Sequence, residues 1–259
     1  MTPPASPDLP RRLLAEALGT ALLVAVVVGS GIAASRLSPE DVGLQLLENS
    51  LATALGLAVL ILLFGPVSGG HFNPVVSAAD WWLGRRTGAG LAGRELAGYV
   101  LAQTAGGVAG AALANLMFAV PLTELAATDR SGAHLWLGEV VATAGLVALI
   151  FALARTGRGA LAAPAVGAYI GAAYWFTSST SFANPAVTIG RVFSDTFAGI
   201  SPASVPGFLA AQVLGAVLAV GLVAYLYPGV GRAADDVVIP HASSRPTPGG
   251  TREHRHPHP

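Results

Sequence analysis

The chain alternates long apolar runs with short polar breaks. Six runs approach the ~20 residues that a helix needs to cross a bilayer, and they cover about residues 13–35, 44–64, 96–120, 134–154, 161–177 and 206–227. Two of the breaks, after the second and fifth runs, carry a polar segment followed by a further short apolar stretch. This pattern predicts an all-α membrane protein with six transmembrane helices and two re-entrant half-helices.

The two polar segments are near copies of each other. They read His71-Phe72-Asn73-Pro74-Val75-Val76 and Phe182-Ala183-Asn184-Pro185-Ala186-Val187. Asn is a preferred N-cap, and Pro suits the first position of a helix because it has no N–H to leave unpaired. Each helix start also carries about half of a positive charge. Two such starts that meet inside a membrane predict a polar, cation-repelling point on an apolar path.

The two halves of the chain repeat around these segments. The matched polar residues are Glu16 with Glu139, Asn73 with Asn184, and Gln103 with Gln212. A repeat of three spans is odd, so the second copy must be inverted across the membrane. The sequence therefore predicts a flexible arm at 1–12, a channel domain at 13–227 with repeats at about 13–120 and 134–227, and a disordered tail at 228–259.

Composition restricts the class of protein. The chain is 53% hydrophobic and 11% charged, which is typical of a multi-span membrane protein, and its net charge of zero offers no basic patch for nucleic acid. There is no Cys, so disulfides and thiol chemistry are excluded. With the N-terminus inside, the inner face receives more Arg than the outer face, which receives Arg36, Arg130 and Arg191. The positive-inside rule thus predicts that both termini lie in the cytoplasm. We expect an integral protein of a bacterial inner membrane.

Two Asn-Pro motifs, one after the second span of each half, resemble the aquaporin or major intrinsic protein family, and the resemblance covers about residues 12–227. It implies a homotetramer in the lipid bilayer, with one pore per subunit, no enzymatic activity, no metal and no cofactor. Glu16 and Glu139 would accept hydrogen bonds from the loop of their own half. Backbone carbonyls ahead of each motif would form a ladder along the pore, from Gly69, Gly70, His71 and Phe72 and from Thr180, Phe182 and Ala183.

The selectivity filter departs from the family pattern. Most members have an Arg three residues after the second Asn, where this chain has Val187, and Arg191 one turn later is not assigned that role. Spacing from the motifs predicts the other filter residues, which are Ala172, Ser181 and either Thr53 or Leu55. This small, mostly neutral set predicts a wide mouth. Bacterial members with Val at this position are associated with arsenic handling, so we expect arsenous acid ahead of glycerol, with water as a co-permeant.

Other classes of protein remain as alternatives. The chain could be mainly a water channel, or an ion-coupled secondary transporter, which also uses inverted repeats and broken helices. A transporter needs midplane ionisable residues for its coupling ion, and only Glu16 and Glu139 are available. Uptake that responds to a proton or sodium gradient would identify it. An intramembrane enzyme would need a nucleophile or metal cluster in the spans, and a purely structural protein would not need two matched polar motifs.

Overall fold

A computed structural model describes residues 7–85, 88–122 and 124–228. Within that part of the chain, eight α-helices follow one another: α1 Leu9–Leu37, α2 Val42–Ser68, α3 Pro74–Gly84, α4 Gly93–Met117, α5 Ala133–Arg155, α6 Ala162–Phe176, α7 Pro185–Gly190 and α8 Val205–Leu226. Six of them are long and apolar enough to cross a membrane, and α3 and α7 are the two short ones. The predicted all-α fold with six spans and two half-helices is confirmed.

The first helix begins earlier than the sequence predicts. The Asp8 side chain accepts a hydrogen bond from the backbone N–H of Arg11 and caps a helix that starts at Leu9. Arg12 then donates to Glu95 at 3.1 Å and to the Tyr99 hydroxyl at 3.0 Å. Residues 9–12 are therefore helical and anchored to α4, instead of belonging to a flexible arm. Residues 1–6, and the predicted tail from 229 onwards, lie outside the described residues.

Within each half, the first helix packs against the second and the third long helix. Helix α1 contacts α2 and α4, and α5 contacts α6 and α8 in the same way. Glycines allow these close crossings: a Cβ on Gly106 or Gly110 would collide with the carbonyls of Ala17 and Ala21 on α1. The small residues spaced four apart thus allow tight backbone approach.

The half-helices lie at the centre, between the two bundles. Both contact α4 and α8, so each half-helix touches the opposite half of the chain as well as its own. The approach of α7 to α4 is especially close, because a Cβ on Gly107 would lie 2.6 Å from the carbonyl oxygen of Ala186. The first residues of α3 and α7 face each other, so the two half-helices run away from a shared centre in opposite directions. This arrangement is an inverted repeat.

Candidate functional site: a central pore

The two motif asparagines cap the half-helices. Asn73 Oδ1 accepts from the backbone N–H of Val75 at 3.1 Å, and Asn184 Oδ1 accepts from those of Ala186 at 3.0 Å and Val187 at 3.3 Å. Pro74 and Pro185 occupy the first helical positions. Each asparagine thus uses its oxygen to satisfy the helix start, and its NH2 group is left to point away from it.

Those NH2 groups join the two halves of the molecule. Asn73 Nδ2 donates to the carbonyl of Ala183 at 2.8 Å, and Asn184 Nδ2 donates to the carbonyl of Phe72 at 2.7 Å. A carboxamide NH2 has two hydrogens, so one donor on each asparagine remains after this exchange. Both asparagines line an internal cavity. The remaining donors are therefore placed to meet a molecule at the centre of the cavity.

The loop ahead of each half-helix has the same unusual backbone in both halves. In the first loop φ is +91° at Gly69, +62° at Gly70 and +48° at Phe72, and in the second it is positive at the equivalent residues, Thr180, Ser181 and Ala183. The left-handed region costs a non-glycine residue ~1–2 kcal/mol. Glycine avoids this cost at two positions in the first loop and at none in the second. The second loop therefore needs more support.

Two buried glutamates supply that support. Glu16 accepts hydrogen bonds at 2.6–3.0 Å from the Ser68 hydroxyl, the backbone N–H groups of His71 and Phe72, and the Gln103 side chain. Glu139 accepts at 2.6–2.8 Å from the equivalent groups, which are the Ser179 hydroxyl, the N–H groups of Phe182 and Ala183, and the Gln212 side chain. Each carboxylate fixes the loop of its own half, as the resemblance implies. Because each already accepts four hydrogen bonds, neither has an oxygen left to bind a solute or an ion.

The cavity has one polar wall and one apolar wall. The polar wall combines the two asparagines with Gly70, His71, Ser181, Phe182 and Ala183 from the two loops. The rest of the lining is formed by aliphatic side chains, namely Leu23, Val27, Leu57, Ile61, Val76, Leu146, Ile150, Val166 and Ile170. Gly69, Phe72, Thr180, Val75 and Ala186 are not among the described lining residues, although the Phe72 carbonyl holds Asn184. The predicted ladder of carbonyls stays a prediction.

His71 is held in place at the inner part of this wall. Its Nδ1 lies 3.0 Å from the hydroxyl of Ser77, and its ring meets the edge of Tyr99 with centroids 5.5 Å apart. Gln103 also donates to that hydroxyl, at 2.9 Å. His71 therefore lines the cavity as a hydrogen-bonded loop residue.

Two of the residues considered for the filter do not face the cavity. Leu55 has 61% of its surface exposed, and Ala172 is also exposed. Thr53, the predicted alternative to Leu55, lines the cavity, and Tyr174 lines it instead of Ala172; the hydroxyl oxygens of Thr53 and Tyr174 lie within hydrogen-bond distance, at 3.2 Å. Side chains two positions apart in an α-helix point in directions that differ by about 200°. Ala172 and Tyr174 must therefore lie on nearly opposite faces of α6. The signal that reveals Tyr174 is the stripe Val166-Ile170-Tyr174, spaced four apart along α6.

The cavity lining also contains the other predicted filter residues and one that was not assigned. Ser181 and Val187 both line the cavity, and within the described residues the buried hydroxyl of Ser181 has no hydrogen-bond partner. Arg191 lines it too, with 2% of its surface exposed. It therefore does not extend to the membrane surface. The lining thus includes a tyrosine and an arginine, which the small, mostly neutral predicted set did not contain.

Comparisons with known proteins agree with this architecture. Residues 5–182 and 163–247 match the family model described as major intrinsic protein. The chain is 52% identical to aquaglyceroporin AqpS of Rhizobium meliloti (strain 1021), over 85% of this chain and 91% of that protein. It is 33% identical to the glycerol uptake facilitator protein of Pseudomonas aeruginosa, over 83% of this chain and 88% of that protein.

A solved structure has the same fold. The X-ray structure of the aquaglyceroporin from Plasmodium falciparum superposes with a TM-score of 0.63 at 18% sequence identity, over 88% of this chain and 99% of that one. At this identity the likeness concerns the fold alone. Together with the family match over most of the sequence, it leads to one conclusion: the chain belongs to the major intrinsic protein family.

Proposed function

We propose that this integral membrane protein is a passive channel for small neutral solutes, with arsenous acid and glycerol as its main solutes and water as a co-permeant. The observation that carries the proposal is the cavity with a polar and an aliphatic part to its lining. The polar part offers the second N–H of the Asn73 and Asn184 carboxamides, and the rest is aliphatic. No cofactor is needed, and the family consists of channels and not of enzymes.

A neutral polyhydroxyl solute fits such a cavity. Its hydroxyls exchange water for the asparagine donors and for the loop carbonyls, while its carbon or arsenic centre slides along the aliphatic side. Arsenous acid and glycerol share this chemistry, because each is a small neutral molecule with three hydroxyls, on one arsenic atom or along three carbon atoms. Relatives named for aquaglyceroporin activity, glycerol uptake and propanediol uptake support this class of solute. Val187 adds no charge and little bulk at the mouth, which favours solutes larger than water.

The two buried carboxylates argue against an ion-coupled transporter. A coupling ion needs a carboxylate that exchanges its partners. Glu16 and Glu139 each accept four hydrogen bonds from their own half and lie behind the cavity wall, so neither has a free oxygen to offer. Transport should therefore follow the solute gradient and ignore a proton or sodium gradient.

We further propose a homotetramer in a bacterial inner membrane, with both termini in the cytoplasm and one pore in each subunit. The Arg distribution along the sequence supports this orientation. The exposed leucines of α2, among them Leu51 and Leu55, provide apolar surface for lipid or for a second subunit. Native mass spectrometry of the detergent-solubilised protein measures the number of subunits, and a monomer alone would contradict the tetramer.

Stopped-flow light scattering on proteoliposomes tests the channel function. Wild-type vesicles should swell faster than empty vesicles in glycerol and arsenous acid, and the rates should not change when a proton or sodium gradient is imposed. Val187→Arg should raise the ratio of water permeability to solute permeability, because a guanidinium obstructs solutes more than water. An unchanged ratio would place the constriction elsewhere, and rates equal to empty vesicles would contradict the function.

A further inference from the structure

Arg191 occupies an unusual position for a charged side chain in this protein. It begins the short helical turn Arg191–Phe193 that extends α7. It stands four residues beyond Val187, which is about 6 Å along a helix. Its side chain is 2% exposed and nevertheless lines the cavity. A full positive charge thus lies at the outer end of the path, one turn beyond the position where the sequence has Val187.

The guanidinium is held rigidly by neighbours that do not neutralise it. Its central carbon lies 3.4 Å from the centre of the Phe182 ring, and its Nε donates to the carbonyl of Ala198. The Phe182 ring is in turn fixed by the ring of Phe208, with centroids 5.0 Å apart. A cation over an aromatic face is stabilised without losing its charge. The Arg191 side chain is therefore fixed in position by its contacts, as a side chain in the protein core is.

No negative charge pairs with this arginine. Within the described residues, the two ion pairs are Arg11–Asp8 and Arg12–Glu95, both far along the chain from the mouth. Arg130 is a second cation nearby, 5.1 Å from the same Phe182 ring, and it donates to the carbonyls of Gly199 and Phe197. Burial lowers the pKa of Arg130 from its ordinary value. Among the described residues the mouth thus holds two cations without an ion pair, and the buried carboxylate of Glu139 offsets their charge only in part.

Part of the Arg191 guanidinium remains available to a solute. Its Nε is used by Ala198, whereas its Nη groups have no protein acceptor within the described residues. The hydroxyl of Ser181, which also lines the cavity, has no protein partner either. Donors of fixed direction and an uncommitted hydroxyl therefore line the same cavity.

We propose that Arg191 is the charged selectivity residue of this channel, and that it excludes protons and other cations from a position one helical turn outside Val187. The proposal rests on the channel function proposed above. The charge of Arg191, at the outer end of the path, gives the pore an electrostatic barrier against cations that the uncharged Val187 does not provide. Val187 leaves the next section of the path wider and uncharged. Cation exclusion and solute size selection are thus separated along the path, whereas an arginine at position 187 would combine them.

The test compares full-length variants in liposomes that contain a pH-sensitive dye. Arg191→Gln keeps a hydrogen-bonding side chain and removes the charge, Arg191→Lys keeps the charge, and Arg36→Gln removes an exposed arginine that binds the Phe118 carbonyl away from the cavity. We expect proton and sodium influx to rise about tenfold or more in Arg191→Gln, since a fixed charge a few ångströms from the path strongly opposes a cation. Arg191→Lys and Arg36→Gln should stay near wild type.

Two further variants keep the outcome decisive. Adding Val187→Arg to Arg191→Gln should lower the cation influx again, because it restores a charge at the mouth. Val187→Arg alone should leave the cation influx as low as in wild type. This comparison can be made even if Arg191→Gln fails to insert into the membrane. A normal cation barrier in folded Arg191→Gln that still conducts water would overturn the proposal. So would a clear fall in cation influx when Val187→Arg is introduced into wild type.

These readouts are independent of the proposed solutes. Proton, sodium and water fluxes are measured without glycerol or arsenous acid. If wild type carries water but neither solute, the solute assignment fails while the role of Arg191 is still decided by the cation influx.

Discussion

Replacing Glu139 with Gln should damage the pore more than replacing Glu16 with Gln. The two carboxylates accept equivalent sets of four hydrogen bonds, so the chemical change is the same in both halves. The loops that they hold differ in strain. In the second loop Thr180, Ser181 and Ala183 all have positive φ without being glycine, whereas in the first loop this is true of Phe72 alone.

The magnitudes follow from these contacts. A glutamine retains one acceptor oxygen, so two of the four bonds to Glu139 are lost, each worth ~1.5–3 kcal/mol when one partner is charged. The loss is therefore about 3–6 kcal/mol. Three left-handed non-glycine residues at ~1–2 kcal/mol each store about 3–6 kcal/mol of strain in the second loop, against about 1–2 kcal/mol in the first. Glu139→Gln should allow the second loop to relax and move its carbonyls, while the first loop of Glu16→Gln has less strain to release.

Glycerol and water permeability per folded protein, measured in proteoliposomes, test this difference. Glu139→Gln should lose at least about tenfold in both, by the 1.4 kcal/mol that a factor of ten represents, and Glu16→Gln should lose clearly less. Glu40→Gln is the matched control, because Glu40 is exposed on the loop after α1 and should change nothing. Equal losses in the two glutamate variants, or a larger loss in Glu16→Gln, would refute the strain argument.

Three further variants test other parts of the pore. Asn184→Asp should reduce neutral-solute flux and admit cations, since a carboxylate cannot donate to the opposite carbonyl; unchanged flux without a cation leak would remove this residue from the path. Gly107→Ala should lower all fluxes by displacing α7, whereas Gly221→Ala, which meets no atom within 4 Å, should not; equal effects on flux would contradict the packing. Tyr174→Ala should increase the permeability to five-carbon polyols relative to glycerol in swelling assays. An unchanged permeability ratio would mean that the Tyr174 ring does not restrict the size of solute that passes.

The architecture was predictable because its signals are local. Apolar runs of sufficient length predict the six spans, and an Asn-Pro pair predicts a capped helix start from the chemistry of two adjacent residues. The repeat also matched Glu16 with Glu139, whereas their hydrogen bonds to the loops were implied by the family resemblance. These features depend on neighbours along the chain or on the symmetry of the two halves.

The filter was only partly predictable because it depends on direction around a helix. Counting residues from the motifs gave Ala172, and it left Thr53 and Leu55 as alternatives. Ala172 and Leu55 each lie two positions from the residue that faces the cavity, Tyr174 and Thr53. A miscount of two reverses the face of a helix, since successive residues turn by about 100°. The position of Arg191 depends on Phe182 and Ala198, and no spacing rule within α7 contains that information.

The reciprocal bonds between the two asparagines and the opposite loops affect the order in which the protein becomes active during synthesis. The acceptor of Asn73 is the carbonyl of Ala183, which is 110 residues further along the chain. While the ribosome is still producing the second half, the first half has no partner for its amide and no second wall for its cavity. A conducting path exists only after the last re-entrant segment has been inserted. A partly synthesised chain therefore cannot discharge the ion gradients of the membrane that is receiving it.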